Sequence, residues 1–144
     1  AFEGCTSFVG TTIVTLPGIG SDYGLTIPKN ITSIGSLCFK NSKIVLLGIA
    51  NESKLEKISD SAFQDCQSLV FISLTNAKKL TQIGSKAFYN CSFLCGYDKT
   101  LMLPNSLQTI GDEAFYKCMN VQKLSLPSSL NFACFFPGFN ASSL

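Results

Sequence analysis

A nine-residue motif recurs along the chain at nearly constant intervals. Its copies run Ile58–Cys66, Ile83–Cys91 and Ile110–Cys118, a weaker copy runs Ile34–Ser42, and Ala1–Cys5 matches the end of another. The Phe of the motif recurs at spacings of 24, 25 and 27 residues. A period of this length is the signature of a repeat protein in which each copy is one structural unit. The repeat therefore constrains the fold more than any other feature of the sequence.

A second constant piece precedes each motif. It reads Leu-Xaa-Leu or a close variant, followed by Pro, at Leu25–Ile27, Leu101–Leu103 and Leu124–Leu126. The alternation predicts a short strand with one buried face, and the Pro marks its end because it cannot donate to a strand ladder. At Leu47–Ile49 and Ile72–Leu74 the Pro is absent and the following turn is two residues longer.

The motif itself predicts the rest of one coil. Its Ile ends a second short extended piece, the Gly after the Ile permits a turn, and the Phe and Cys, three residues apart, share a face of one helical turn. One coil cannot bury its apolar groups alone, so coils of about 23–27 residues stack. We predict a Phe ladder through the stack, and an outward loop at the extra residues Cys95–Asp98; the ladder comprises Phe39, Phe63, Phe88 and Phe115.

Over residues 25–132 the pattern Leu-x-x-Ile-x-Leu-Pro-x-x-Leu-x-x-Ile-Gly-x-x-Ala-Phe-x-x-Cys resembles the BspA-type (Treponema pallidum-type) leucine-rich repeat family. The departures are Cys38 for Ala, Ser42 for Cys and Ser59 for Gly. The resemblance implies a right-handed leucine-rich repeat solenoid, with short parallel strands on one side and short helical or 3-10 turns on the other. We predict about four full coils plus partial ends, forming a single domain over residues 1–144.

Two segments depart from the repeat. Residues 6–24 hold an insertion, and residues 131–144 form either a degraded repeat or a hydrophobic cap. Because the chain opens inside a repeat, we expect it to be a piece of a longer protein, so its lack of a signal-peptide pattern is uninformative.

Composition weighs against several classes of function. The chain is 46% hydrophobic and 14% charged, which argues against disorder, and no apolar run is as long as a membrane span. There is no His, the commonest general base and nitrogen ligand. The basic residues are 11 scattered lysines, unlike a clustered nucleic-acid surface. We predict no enzyme, cofactor or metal; the candidate carboxylates occupy outward slots, namely Glu56, Asp60, Asp65, Asp112 and Glu113.

The chain has seven cysteines, most of them in repeat slots. Such cysteines act as small buried hydrophobes. If the turn sides of adjacent coils lie about 8–10 Å apart, they are too distant for a bridge, which needs Cα atoms within about 7 Å. We predict free structural thiols at the repeat positions, with Cys91–Cys95 as the one local pair that could close; these positions are Cys5, Cys38, Cys66, Cys91 and Cys118.

The outward residues of the first strands form the candidate binding face. Repeat proteins bind through such extended faces, and here Leu46, Phe71 and Met102 are apolar residues predicted to be exposed. Exposed apolar patches indicate interaction sites, although a neighbouring segment covering them is the alternative. The predicted protein-binding face comprises Leu46, Phe71, Ser73, Thr100, Met102, Lys123 and Ser125.

Four Asn-Xaa-Ser/Thr triplets are possible glycan acceptors, although Asn-rich turns also produce them by chance; they begin at Asn30, Asn51, Asn90 and Asn140. The family resemblance implies a cell-surface or secreted protein that adheres to host cells or matrix proteins. The alternatives are an intracellular scaffold, which would suit unpaired thiols, and a structural spacer that presents another domain.

Overall fold

The computed structural model of the chain describes residues 13–15, 23–96 and 98–130. Within them, ten short strands form three sheets. The first sheet has the order β1 (Ile13–Thr15), β2 (Tyr23–Ile27), β4 (Ile44–Ile49) and β6 (Phe71–Ile72). The second has the order β3 (Ser33–Ile34), β5 (Lys57–Ile58), β7 (Gln82–Ile83) and β9 (Thr109–Ile110). The third pairs β8 (Thr100–Met102) with β10 (Lys123–Ser125).

Strand pairing shows that the chain winds as a parallel β-solenoid of about four coils. Equivalent residues of successive coils lie side by side, as Leu47 does with Ile72 and Ile58 with Ile83. We number the coils by their first strands, so that β2, β4, β6, β8 and β10 begin coils 1 to 5. The predicted repeat solenoid is thus confirmed.

The predicted insertion contains the one antiparallel pairing among the described strands. β1 falls within residues 6–24 and pairs with β2, placing Ile13 opposite Leu25. The rest of that segment up to Asp22, and the whole of the predicted degraded repeat or cap at 131–144, lie outside the described residues.

In the core, equivalent side chains of successive coils are stacked on one another. The four Phe rings of the predicted ladder are stacked face to face, with centroid distances of 5.0, 5.1 and 5.3 Å and interplanar angles of 9°, 3° and 3°. Aromatic pairs at this spacing contribute beyond the area that they bury. The Ile that ends each second strand is equally enclosed; this row comprises Ile34, Ile58, Ile83 and Ile110.

The side opposite the strands differs from the prediction, because no helix occurs among the described residues. Each coil instead forms successive tight turns, in which Ala62 and Gln64 donate to the carbonyls of Ser59 and Ser61. In these turns the backbone is left-handed at Ser61 (φ 56°) and at Asp65 (φ 60°). The left-handed positions recur in coils 1 to 4 at the same two slots, which are Leu37, Asn41, Ser61, Asp65, Lys86, Asn90, Glu113 and Lys117.

The left-handed residues turn alternate backbone groups toward the next coil. Phe39 donates to the carbonyl of Ala62 at 2.7 Å, and Phe63 donates to that of Ala87 at 2.7 Å. Hydrogen-bonded chains of this kind lie about 4.8 Å apart. The predicted spacing of 8–10 Å on this side is therefore wrong, because backbone hydrogen bonds and not helix packing set the distance.

The Gly that follows the Ile of the motif is required by close packing between coils and not, as predicted, by a turn. Gly96, at φ 72°, is the one left-handed glycine among the described residues, so neither Gly84 nor Gly111 needs that conformation. A Cβ at Gly84 would instead stand 2.6 Å from the backbone nitrogen of Asp60. The slot is small because adjacent coils touch there.

The predicted outward loop interrupts the sheet of first strands between coils 3 and 4, whereas the second strands and the Phe ladder continue across it. Asp98 (φ 49°) and Lys99 (φ 57°) are left-handed and exposed. Gly96 packs against the carbonyl of Thr100 so closely that a Cβ could not fit. β6 therefore ends the first sheet, and β8 begins a separate one.

Candidate protein-binding face

The predicted face residues occupy neighbouring outward positions. Leu46 lies beside Phe71 in the first sheet. In the third sheet Thr100 lies beside Lys123, and Met102 lies beside Ser125. Ser73 follows β6 directly, and its hydroxyl lies 3.2 Å from the hydroxyl of Thr75.

Exposure on this face is more uneven than predicted. Leu46 and Phe71 are half-buried, whereas Met102 is 52% exposed. Leu46 and Phe71 shield each other across the strand pair, because directly paired residues of adjacent strands are within contact distance. The loop after Cys95 divides the face, with Leu46 and Phe71 on one side and Met102 on the other.

A cleft of about 380 Å³ opens beside Met102. One wall is formed by Thr75 and Lys78 of coil 3, and the other by Met102, Pro104 and Asn105 of coil 4, among others. The turn of coil 3 reaches its core Leu two residues later than the Pro-containing turn of coil 4. The two turns that line the cleft thus differ in length by two residues.

The predicted glycan acceptors sit in different surroundings. Asn30 is exposed, as is Thr32, the third residue of its triplet. Asn51 is exposed, but the hydroxyl of Ser53 is buried and accepts the N–H of Leu55 at 3.1 Å.

The remaining triplets are less open. The side-chain amide of Asn90 donates to the carboxylate of Asp65 at 2.9 Å, and Ser92 donates to the side chain of Gln67 at 2.8 Å. Asn140 lies outside the described residues.

The cysteine prediction is confirmed at most of the described positions and is wrong at one. Cys66, Cys91, Cys95 and Cys118 are free thiols, so Cys91 and Cys95 do not pair. Cys38 is disulfide-bonded, contrary to the prediction. Cys5 lies outside the described residues.

The repeat cysteines have a specific hydrogen-bonding role. The thiol of Cys66 donates to the carbonyl of Phe39 in the preceding coil at 3.1 Å, and that of Cys91 donates to the carbonyl of Phe63 at 3.2 Å. Cys118 repeats the contact with Phe88 at 3.2 Å. Each of these thiols thus bonds the coil before it, and a wide spacing of the coils is not the reason that they are free.

Burial lowers the reactivity of two of these thiols, Cys91 and Cys118. A side-chain hydrogen bond with Cys66 and burial both raise the pKa of Cys91, and burial raises the pKa of Cys118 to about 12. Because the thiolate is the reacting form, the raised pKa values make Cys91 and Cys118 slow to react. In the described part of the chain, no group of three or more Cys, Asp or Glu residues could hold a metal ion.

Alkylation of the native protein tests this arrangement. With iodoacetamide at pH 8, we expect the half-exposed Cys95 to react well before Cys91 and Cys118, because burial blocks both access and ionisation there. Peptide mapping by mass spectrometry follows each site separately, and a denatured sample provides the control in which the order disappears. Equal native rates at Cys95 and Cys118 would contradict the buried ladder.

The structure also shows surfaces that the sequence analysis missed. Val70, Phe93 and Met119 are 40%, 56% and 73% exposed on the stretches that lead from the turns to the first strands. They occupy different slots of the repeat, so the aligned copies show no common apolar row.

The second feature that the sequence analysis missed is a cluster of lysines. Four exposed lysines occupy the corner where each first strand turns toward its second strand, on coils 1 to 3. We call this the lysine corner; it comprises Lys29, Lys54, Lys78 and Lys79. The backbone N–H of Lys54 donates to the carbonyl of Lys29 at 2.8 Å, so these lysines follow one another up the solenoid. Aligning the coils by their core Leu would have revealed this cluster.

Together these features define a leucine-rich repeat solenoid with an extended outward face, the class of fold that serves as a binding module. Residues 23–136 match the family described as BspA type leucine rich repeat region, in six copies. The chain belongs to the BspA-type leucine-rich repeat family. A comparison with curated protein sequences found no match.

Solved structures of bacterial leucine-rich repeat proteins are similar. A protein from Bacteroides ovatus is 28% identical, with a TM-score of 0.59 over 74% of this chain and 26% of its own. The pneumococcal vaccine antigen PcpA is 25% identical, with a TM-score of 0.56 over 74% of this chain and 31% of its own. The T. pallidum leucine-rich repeat protein TpLRR, at 24% identity and a TM-score of 0.53 over 72% of this chain and 58% of its own, supports the fold alone.

The chain thus spans between about a quarter and three fifths of these proteins. Among the described residues, no helix has the length and apolar character needed to cross a membrane.

Proposed function

We propose that this chain is a non-enzymatic, protein-binding part of a cell-surface or secreted protein that adheres to host cells or matrix proteins. The observation that carries the proposal is the outward face of the first strands, where Met102 is 52% exposed beside a cleft. Exposed apolar groups next to a concavity are typical of interaction sites. The half-buried pair of Leu46 and Phe71 extends this face on the far side of the loop.

Two observations support a location outside the cytosol. One similar structure, PcpA, is described as a vaccine antigen, a use that suits a protein accessible to antibodies. Cys38 is disulfide-bonded, and stable disulfides are typical of oxidising compartments.

The intracellular scaffold remains the second candidate because of the free thiols. Four described cysteines are unpaired, which suits a reducing compartment. Three of them are buried, however, and two of these, Cys91 and Cys118, have raised pKa values, so these two resist oxidation in either compartment. The free thiols therefore favour the scaffold only weakly over a surface protein. The third candidate, a structural spacer, would bind no ligand on any face.

Replacing the exposed methionine of the face tests the adhesion proposal. We expect Met102→Ser to weaken binding of the chain to cultured epithelial cells or immobilised matrix proteins about tenfold, because it removes an apolar contact. Met119→Ser is the matched control, since Met119 is 73% exposed but lies off the face. Binding is measured by flow cytometry and surface plasmon resonance. Equal binding by both variants, or no binding by the unmodified chain, would contradict the proposal.

Glycan mapping tests whether the folded chain suits a glycosylating secretory pathway. When the chain is secreted from a eukaryotic cell line, we expect glycan at Asn30, whose triplet is open, and little at Asn90, whose amide and serine are engaged. Glycopeptide mass spectrometry measures occupancy, and Asn30→Gln is the control for assignment. Higher occupancy at Asn90 than at Asn30 would contradict this reading of the two triplets.

A further inference from the structure

Coils 3 and 4 meet at an irregular junction with two adjoining clefts. The cleft beside Met102 has a volume of about 380 Å³, and a second of about 530 Å³ continues around the corner toward Gln108 and Ser129. The clefts share Lys78, Asn105 and Ser106 as lining residues. They therefore form one bent depression, which we call the junction groove.

The groove exists because the repeat is imperfect at this point. The extra residues before β8 split the sheet, and the turn that ends at Leu80 is two residues longer than the turn that ends at Leu107. The hydroxyl of Ser106 spans the mismatch by donating to the carbonyls of Ala77 and Leu80, at 3.3 and 2.8 Å. The groove is thus supported by hydrogen bonds between the coils that form its walls.

The side chains that line the groove include more lysines than carboxylates. Lys78 lines both clefts and Lys79 lines the second, while Lys54 and Lys29 continue the lysine corner on coils 2 and 1. Glu56 is the one acidic side chain among those that line the two clefts, so the lining carries two lysines against one carboxylate. Such a surface attracts negatively charged partners and speeds their association.

The groove also has an apolar end. Met102 is half-exposed there, above the buried Leu103 and Pro104. Methionine adapts to varied apolar side chains and is frequent at protein-binding surfaces. A uniformly charged polysaccharide or nucleic acid would make no use of this end, whereas a polypeptide can place an apolar side chain on Met102 and carboxylates near the lysines.

We propose that the junction groove binds an extended acidic segment of a partner protein, with one apolar side chain against Met102 and flanking carboxylates at Lys78 and Lys79. The inference rests on the proposed protein-binding function and names the kind of partner. The exposed side-chain amide of Asn105 lines both clefts, where it can bond the partner's backbone.

A random peptide library displayed on phage tests the proposal. The library is selected on the unmodified chain and counter-selected on the double variant Lys78→Gln, Lys79→Gln. We expect enriched peptides to carry Asp or Glu next to Leu, Met or Phe. Synthetic copies should lose about tenfold in affinity for the double variant and for Met102→Ser. Lys43→Gln is the matched control, because Lys43 is exposed but lies outside both the binding face and the groove, and the affinity of the peptides for this variant should stay within about twofold of that for the unmodified chain.

The outcomes are distinguishable. Selected peptides that are basic or neutral, or that bind the double variant as well as the unmodified chain, overturn the inference. Binding of heparin that depends on Lys78 and Lys79, with no peptide selected, also overturns it and indicates a polyanion site. If the peptides fail while the adhesion assay still responds to Met102→Ser, the groove inference is wrong and the adhesion proposal stands.

Discussion

Replacing Phe88 with Ala is expected to lower the free energy of unfolding by about 3–5 kcal/mol. Phe88 is fully buried and its ring is stacked between Phe63 and Phe115, at centroid distances of 5.1 and 5.3 Å. The substitution leaves a cavity in the middle of the ladder and removes both ring contacts. Each coil of a solenoid is stabilised mainly by its two neighbours, so the loss falls on both sides of coil 3.

Urea unfolding followed by circular dichroism measures this effect. Phe93→Ala is the matched control, because the same side chain is 56% exposed on the same coil and its removal should change stability by about 0.5 kcal/mol or less. Similar losses in the two variants would mean that the ladder contributes no special stability.

Adding one methyl group at Gly111 is expected to destabilise the protein by about 1–3 kcal/mol. A Cβ there would stand 2.7 Å from the carbonyl carbon of Gly84 and 2.7 Å from the Cα of Ser85, both in the preceding coil. The coils must move apart locally, which strains the hydrogen bond of 2.8 Å from Gly111 to Ile83. Ser59 occupies the equivalent slot in coil 2, so the repeat accepts a side chain at this position in one coil.

Gly48→Ala is the matched control with the opposite expected sign. The nearest atom to a Cβ at Gly48 is the hydroxyl oxygen of Thr26 at 3.6 Å, an ordinary contact. A glycine replaced without strain gains about 0.4–1 kcal/mol from the reduced entropy of the unfolded chain. Thermal unfolding of both variants tests these two expectations. A Gly111→Ala protein as stable as the unmodified chain would show that close contact between the coils is not the reason for glycine at this position.

The binding face shows how much can be predicted by assigning each residue to a position of the repeat. The alternation in each first strand assigned Met102, Ser125, Leu46 and Phe71 to one face, because side chains alternate between the two faces of a strand, and the structure pairs Met102 with Ser125 and Leu46 with Phe71. It did not predict that Leu46 and Phe71 would be half-buried, or that a groove would open beside Met102. Both depend on the shapes of neighbouring coils, and the mismatch between coils 3 and 4 becomes a cleft only when they are stacked.

The sequence by itself determined the repeat, the inward slots, the Phe ladder and the parallel winding. These follow from apolar periodicity, because one coil has too many apolar groups to bury alone and only stacking in register buries them. The tertiary structure decided the backbone of the turn side. The Phe-to-Cys spacing suggested a helical turn, but hydrogen bonds such as that from Phe63 to Ala87 form between coils and require left-handed residues such as Ser61. Those partners lie about 25 residues apart, so local propensity carries no signal of them.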